Sequence, residues 1–280
     1  MTSRSKRRKM GARPLVRRET AWLWVAGVAF AAVIILGFRL MTPQSGDVAE
    51  NLRAAVLDQL SPAFPNDDFR ASVTQDIEGF GLPVDAYEGQ QIDVDLYRSL
   101  GTRDYGVLVI RSHSGILELE GEDAQPVTSL FTNEPYSQSE YVAEQLRDRV
   151  LIVRPFVQDA ELTFGITPEF VLHSMEGRLP RSIVIVAGCS VLGRTDMAQA
   201  LVSRGASVVI SWDRSVGLAH ADESTAALVS HLLEDETTVQ AAVASTMSEL
   251  GPDPEYGATL RYYPATAGRS TAMELLRGDG

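Results

Sequence analysis

One cysteine, Cys189, stands in a chain of 280 residues. A lone thiol excludes an intramolecular disulfide framework and any zinc site built from thiolates. Histidine is scarce too, with four in all, and no lysine follows Lys9. The sequence has no GxGxxG, no GxxxxGK(S/T), no GxSxG and no HExxH. Nucleotide-dependent, serine-hydrolase and zincin readings therefore lose their usual support. Low-complexity stretches are few, and with 45% hydrophobic and 22% charged residues the chain is neither disordered nor fibrous. Its length suits one large domain or two small ones.

Positive charge is scarce outside the N-terminus. Of 25 basic and 37 acidic side chains, residues 1–19 hold eight Lys or Arg against the single acid Glu19. The remaining 261 residues thus carry 17 basic and 36 acidic groups, a balance of -19 that repels nucleic acid. Behind the basic head, Ala21 to Phe38 is an eighteen-residue run without a charge, and Leu40 and Met41 extend it past Arg39. At ~1.5 Å per residue this spans most of a ~30 Å hydrocarbon core, while Arg39 snorkels to the interface. Trp22 and Trp24 sit at the basic end, where indoles favour the membrane boundary. The run is longer than a signal-peptide core, and the RLMTPQSG after it is a poor cleavage site. The expectation is a single-pass signal anchor in the cell membrane, partnered by the lipid bilayer through residues 21–41. The positive-inside rule places the N-terminus in the cytoplasm and the C-terminal body outside it.

The expected organisation is a basic tail over 1–19, a transmembrane helix over 20–41, a linker and juxtamembrane helix over 42–66, and an α/β domain over 67–280. The juxtamembrane helix rests on the spacing of Leu52, Val56 and Leu60. Within the domain, Tyr105–Arg111 (YGVLVIR), Ser182–Ala187 (SIVIVA) and Ser207–Trp212 (SVVISW) are continuous apolar runs of the kind that fill buried parallel strands. Ser137 and Glu140 form a capping-box pattern before Tyr141, Val142 and Leu146. Thr167 with Pro168, and Thr195, open further helices. Strand alternating with helix predicts a mostly parallel sheet covered on both faces.

Ligands of such sheets bind outside the carboxyl ends of the strands. His113 lies two residues after YGVLVIR and Cys189 two residues after SIVIVA, so both fall on one edge if the strands are neighbours. A thiol becomes a nucleophile when a base or a positive field draws off its proton, and a histidine supplies either. The pair is a candidate catalytic dyad. Gly115 and Gly188 would allow close backbone approach, and amides near Cys189 could hold an oxyanion. Taken singly, a cysteine after an apolar strand is more often a buried hydrophobe than a nucleophile.

The order strand, His loop, strand, Cys loop, helix, Gly-Ala-led strand resembles the caspase-like cysteine peptidases of the CHAT, separase and gingipain type. The run IVIVAGCSVLGRTDMAQALVSRGASVVISW is the closest part, and the resemblance covers roughly residues 105–250. It implies a three-layer caspase-like α/β domain, with the family's base on His113 and its nucleophile on Cys189. It implies cysteine endopeptidase activity on a peptide or protein substrate, with no metal and no organic cofactor. The chain departs from the family pattern in three places, one of them a Trp212-to-Asp222 spacing longer than the family's. Ser114 follows the histidine where glycine is usual, and Gly188 precedes the cysteine where alanine is usual.

Trp212, Asp213 and Asp222 are candidates for lining a substrate pocket, and Glu134 could face a basic side chain. His220 and Asp222 are too few for a zinc site. The alternative function is a catalytically inactive α/β module that binds a peptide or an envelope protein partner; a cysteine-dependent amidotransferase is a third. For the topology, an alkaline phosphatase fused to the C-terminus is expected to be active in bacterial cells. An inactive fusion would put the body in the cytoplasm.

Overall fold

The computed structural model describes residues 52–119, 125–157 and 159–278. In chain order the elements are β1 (Arg53–Asp58), α1 (Asp67–Phe80), β2 (Val84–Glu88), α2 (Val94–Ser99), β3 (Tyr105–Arg111), β4 (Ser114–Leu117), β5 (Val127–Pro135) and α3 (Val142–Gln145). There follow β6 (Val150–Val153), β7 (Thr163–Ile166), α4 (Pro168–His173), β8 (Ile183–Ala187), α5 (Asp196–Ser203) and β9 (Val208–Trp212). The chain closes with α6 (Leu218–Leu232), α7 (Val239–Leu250), β10 (Leu260–Tyr263) and α8 (Ala272–Arg277).

The larger sheet has the order β10-β9-β8-β3-β1-β2. All its pairings are parallel except β9 with β10. The three apolar runs are buried along their whole length because both faces are covered. On one face Val107, Val109, Ile183, Ile185 and Ile210 meet α1, α6, α7 and α8. On the other, Leu108, Ile110, Val184 and Val186 meet α2, α4 and α5. The architecture is mixed α/β with a mostly parallel central sheet.

Several expectations need correction. Residues 53–58 are not a juxtamembrane helix; they form β1, paired in parallel with both β2 and β3. Ala54, Ala55, Val56 and Leu57 are buried on alternating faces, so tertiary pairing overrides the helical spacing of Leu52, Val56 and Leu60. The α/β domain therefore begins before residue 67. A second sheet, β4-β5-β7-β6, is wholly antiparallel and packs on the α2/α4/α5 face through Leu130, Phe164 and Ile166. The capping box at Ser137 does not form, since α3 starts after Tyr141 without a side-chain cap, and the Ser137 hydroxyl meets that of Ser139. Thr195 gives no cap bond to α5 either. Asp196 accepts from the Met197 N–H and ties α5 to Thr128. Among the described residues no helix is long and apolar enough to cross a membrane. The basic tail 1–19 and the expected transmembrane helix 20–41 lie outside the described residues.

One buried ionic cluster joins the carboxyl ends of the strands to the helices above. Arg111, at the end of β3, is 1% exposed. Its Nε and Nη2 donate to the two carboxylate oxygens of Asp222 on α6, at 2.7 and 2.9 Å, and its Nη1 donates to Asp58 at the end of β1, at 2.7 Å. Asn66 accepts from the Phe69 N–H at the start of α1 and donates to Asp222 at 2.8 Å. Asp58 Oδ2 is buried without a partner, and burial holds the Asp58 carboxyl above its usual range against the pull of Arg111. Asp222→Ala strips Arg111 of its two-pronged partner, and removing one side of a buried pair typically costs ~3–5 kcal/mol. Asp58→Asn keeps an acceptor for the guanidinium and removes the surplus negative charge. Urea unfolding is therefore expected to show a much larger loss for Asp222→Ala than for Asp58→Asn; equal losses would contradict this division of roles.

Candidate functional site

β3 and β8 are neighbours, with Arg111 opposite Ala187, so the His113 and Cys189 loops leave the same sheet edge side by side. The chain passes from the parallel to the antiparallel sheet in two residues, Ser112 and His113. That crossing fixes the histidine backbone. The His113 N–H donates to the Gln59 side chain at 2.9 Å and its carbonyl accepts from the Phe131 N–H at 3.0 Å. Gln59, which is buried, is itself held by Asn133, whose Oδ1 accepts from the Gln59 side chain at 2.7 Å and whose Nδ2 donates to the Gln59 carbonyl at 2.8 Å. The imidazole is enclosed by Phe64, Phe131 and Phe156, with ring centroids 6.2, 6.1 and 5.5 Å away.

His113, Gly188 and Cys189 line one cavity of about 380 Å³. Its walls are largely apolar: Leu60, Phe64, Phe156, Val216, Leu218 and Tyr256. A second cavity of about 210 Å³ adjoins it and shares His113 and Leu60 with the first. It is more polar, with Gln59, Gln90, Asn133 and Glu161 in its wall.

The electrostatics leave both reactive groups uncharged. Burial, together with the Arg111 charge two residues away, pushes His113 down to about 4. Its Nε2 is buried without a hydrogen-bond partner. Burial pushes the Cys189 thiol up, and Sγ makes its one hydrogen bond to the Val216 carbonyl at 3.7 Å. The resting pair is a neutral imidazole and a neutral thiol. The Cys189 backbone N–H has no backbone or side-chain acceptor among the described residues, so it is free to meet an oxyanion.

The glycines behave differently from each other. Gly115 lies in β4 opposite Ser129, outside the cavity wall, and a methyl group there would touch nothing. At Gly188 a methyl group would sit 2.5 Å from Ser114 Oγ and 2.7 Å from the Ser112 carbonyl. The Ser114 hydroxyl fills that space and donates to the Cys189 carbonyl at 2.7 Å.

The three expected pocket residues are not in the wall of the cavity. Trp212 is fully buried against His220, with ring centroids 5.4 Å apart. Asp213 turns to the β10 edge, where it accepts from the Thr259 N–H and hydroxyl, both at 2.8 Å, and from Arg261. Asp222 is held by Arg111 and Asn66, which removes it as a metal partner for His220. Glu134 accepts from the Val94 N–H and the Tyr141 hydroxyl. Sequence reasoning missed Gln59, Leu60, Phe64, Phe156 and Val216. The first three follow β1, so reading residues 53–58 as a strand would have put them at this edge. No family model and no curated protein sequence matches the chain.

Gly188→Ala is expected to destabilise the fold by ~1–3 kcal/mol, the usual cost of overpacking. Adding Ser114→Gly should recover part of that loss, because the hydroxyl is one of the two groups in the way. A double-mutant cycle by thermal unfolding measures the coupling; strict additivity would show that the two positions do not compete for one space.

Proposed function

We propose that the chain is a membrane-anchored, caspase-like cysteine endopeptidase whose base is His113 and whose nucleophile is Cys189. The observation that carries the reading is the shared cavity: a histidine and the only cysteine, from loops of adjacent parallel strands, open into it together. Two adjoining cavities that share His113 favour an extended polypeptide over a compact small molecule. Two of the departures from the family pattern, at Ser114 and Gly188, also reduce to one exchange. A Gly after the histidine and an Ala before the cysteine leave room for a methyl group at the second position. Here Ser114 and Gly188 occupy the same volume the other way round.

In this reading His113 Nε2 takes the Cys189 proton as the scissile carbonyl arrives, and Sγ bonds to the carbonyl carbon while the oxygen turns towards the Cys189 N–H. Collapse breaks the C–N bond, and the proton on Nε2 goes to the leaving amine. Water, deprotonated by the same nitrogen, then hydrolyses the thioester and restores the thiol. Gln59 acts as a positioning residue through the His113 N–H. The residues 21–41 anchor the chain in the bilayer with residues 1–19 in the cytoplasm and the domain on the far side, a topology supported by the charge distribution.

A second reading, the inactive binding module, is favoured by one specific observation: the resting thiol is raised and turned to Val216 while the histidine is lowered. Labelling of the full chain in detergent separates the two. Iodoacetamide alkylation of Cys189 should be slow at pH 7 and climb only above about 8.5, the ordinary thiol value. A peptidyl acyloxymethyl ketone should label Cys189 at pH 7, and His113→Ala should slow that reaction by ~100-fold or more, the scale of general-base assistance. If no peptidyl ketone reacts with the native protein, Cys189 is a packed structural thiol and the module reading holds.

A further inference from the structure

The cavity beside Cys189 has a chemistry that fixes its ligand class. No Asp, Glu, Lys or Arg lines it; its walls are mainly aliphatic and aromatic, with Ser112, Ser215 and the Tyr256 hydroxyl as the polar groups beside a neutral His113. The acids nearest in sequence are turned elsewhere, Asp213 to Thr259 and Arg261, and Asp222 to Arg111. Asp253, which approaches the thiol from the α7–β10 connection, accepts from the Gly217, Glu255 and Tyr256 N–H groups. A cationic or anionic side chain entering this space would lose part of its hydration and meet no opposite charge in the wall, a penalty that apolar side chains do not meet. The volume of about 380 Å³ is ample for a side chain the size of leucine or phenylalanine.

We infer that the cavity selects an uncharged, apolar side chain on the residue that donates the acyl group to Cys189, and that Leu218 and Val216 set this preference. The inference rests on the peptidase reading and adds the substrate class. The acyl residue is the one concerned because its carbonyl carbon is bonded to Sγ, and Cys189 lines this cavity. Leu218 is the informative position. It is half-buried at the first turn of α6, where an acidic side chain suits the helix dipole, so Leu218→Glu keeps the fold while placing a charge in the wall. Tyr256→Glu, at an exposed wall position, offers the same change should Leu218→Glu fail to fold.

The test uses the full chain in detergent and dipeptidyl acyloxymethyl ketones that differ only in the terminal residue: Leu, Phe, Arg, Lys or Asp. In each, the Cys189 sulfur displaces the carboxylate leaving group and the thiol proton is lost, so intact-protein mass spectrometry reads the adduct. The expected result is labelling by the Leu and Phe reagents at least ~100-fold faster than by the charged ones, with Leu218→Glu raising the Arg rate at least ~10-fold relative to Leu. Equal or faster labelling by a charged reagent overturns the inference and leaves the peptidase reading standing. An unchanged preference in both Glu variants overturns the assignment of the wall. Failure of every reagent, with Cys189 still alkylated after unfolding, overturns both.

Discussion

The guanidinium of Arg111 is the point on which the active edge depends. It ends the central strand β3, grips α6 through Asp222, grips the end of β1 through Asp58 and, by way of Asn66, fixes the start of α1. A single cation is buried among two carboxylates, an arrangement that destabilises the fold sharply if any one contact is removed. Two residues later the chain becomes His113. The charge that organises the strand ends also helps to keep the imidazole neutral, so the same group serves packing and electrostatics.

From that anchor the candidate site is built by backbone rather than by flexible side chains. His113 is placed by the crossing between two sheets and by the Gln59–Asn133 pair; Cys189 is placed by β8 and locked to the neighbouring loop through the Ser114 hydroxyl. Such preorganisation means the cleft need not rearrange to bring the two loops together. Burial of the two groups among largely apolar neighbours keeps them uncharged at rest, since it disfavours both imidazolium and thiolate. In the proposed mechanism ionisation is coupled to the arrival of a carbonyl, and the Cys189 N–H receives the charge that develops.

The parts of this structure legible in the sequence were those with buried faces on both sides. YGVLVIR, SIVIVA and SVVISW read as strands because each holds a continuous apolar stretch with no charge inside it, Arg111 standing only at the end of the first, and the loops after the first two put His113 and Cys189 at one edge. β1 escaped because alanine is a good helix former and Leu52, Val56 and Leu60 are spaced four apart. Its strand character comes from pairing with β2 and β3, which no local window contains. That omission hid Gln59, Leu60 and Phe64. The antiparallel sheet was missed as a sheet for a similar reason, since β6 and β7 are four residues each, β7 being ordered by pairing with β5 and β6 by pairing with β7. Asp213 and Asp222 were near the correct edge in sequence, but Thr259 and Arg111 decide where their carboxylates go, and neither partner is adjacent in the chain.

The central claim is that His113 serves as the proton acceptor for Cys189 when a carbonyl occupies the cavity. With only four histidines in the chain, nitrogen NMR of the imidazoles before and after addition of a peptide aldehyde ending in ¹³C-labelled leucinal tests it most directly. The account predicts a neutral His113 at pH 7 in the free protein. On addition it predicts a hemithioacetal carbon signal that requires Cys189, accompanied by a change in the His113 nitrogen shifts. A hemithioacetal that forms with no response from His113, or none that forms at all, would contradict it.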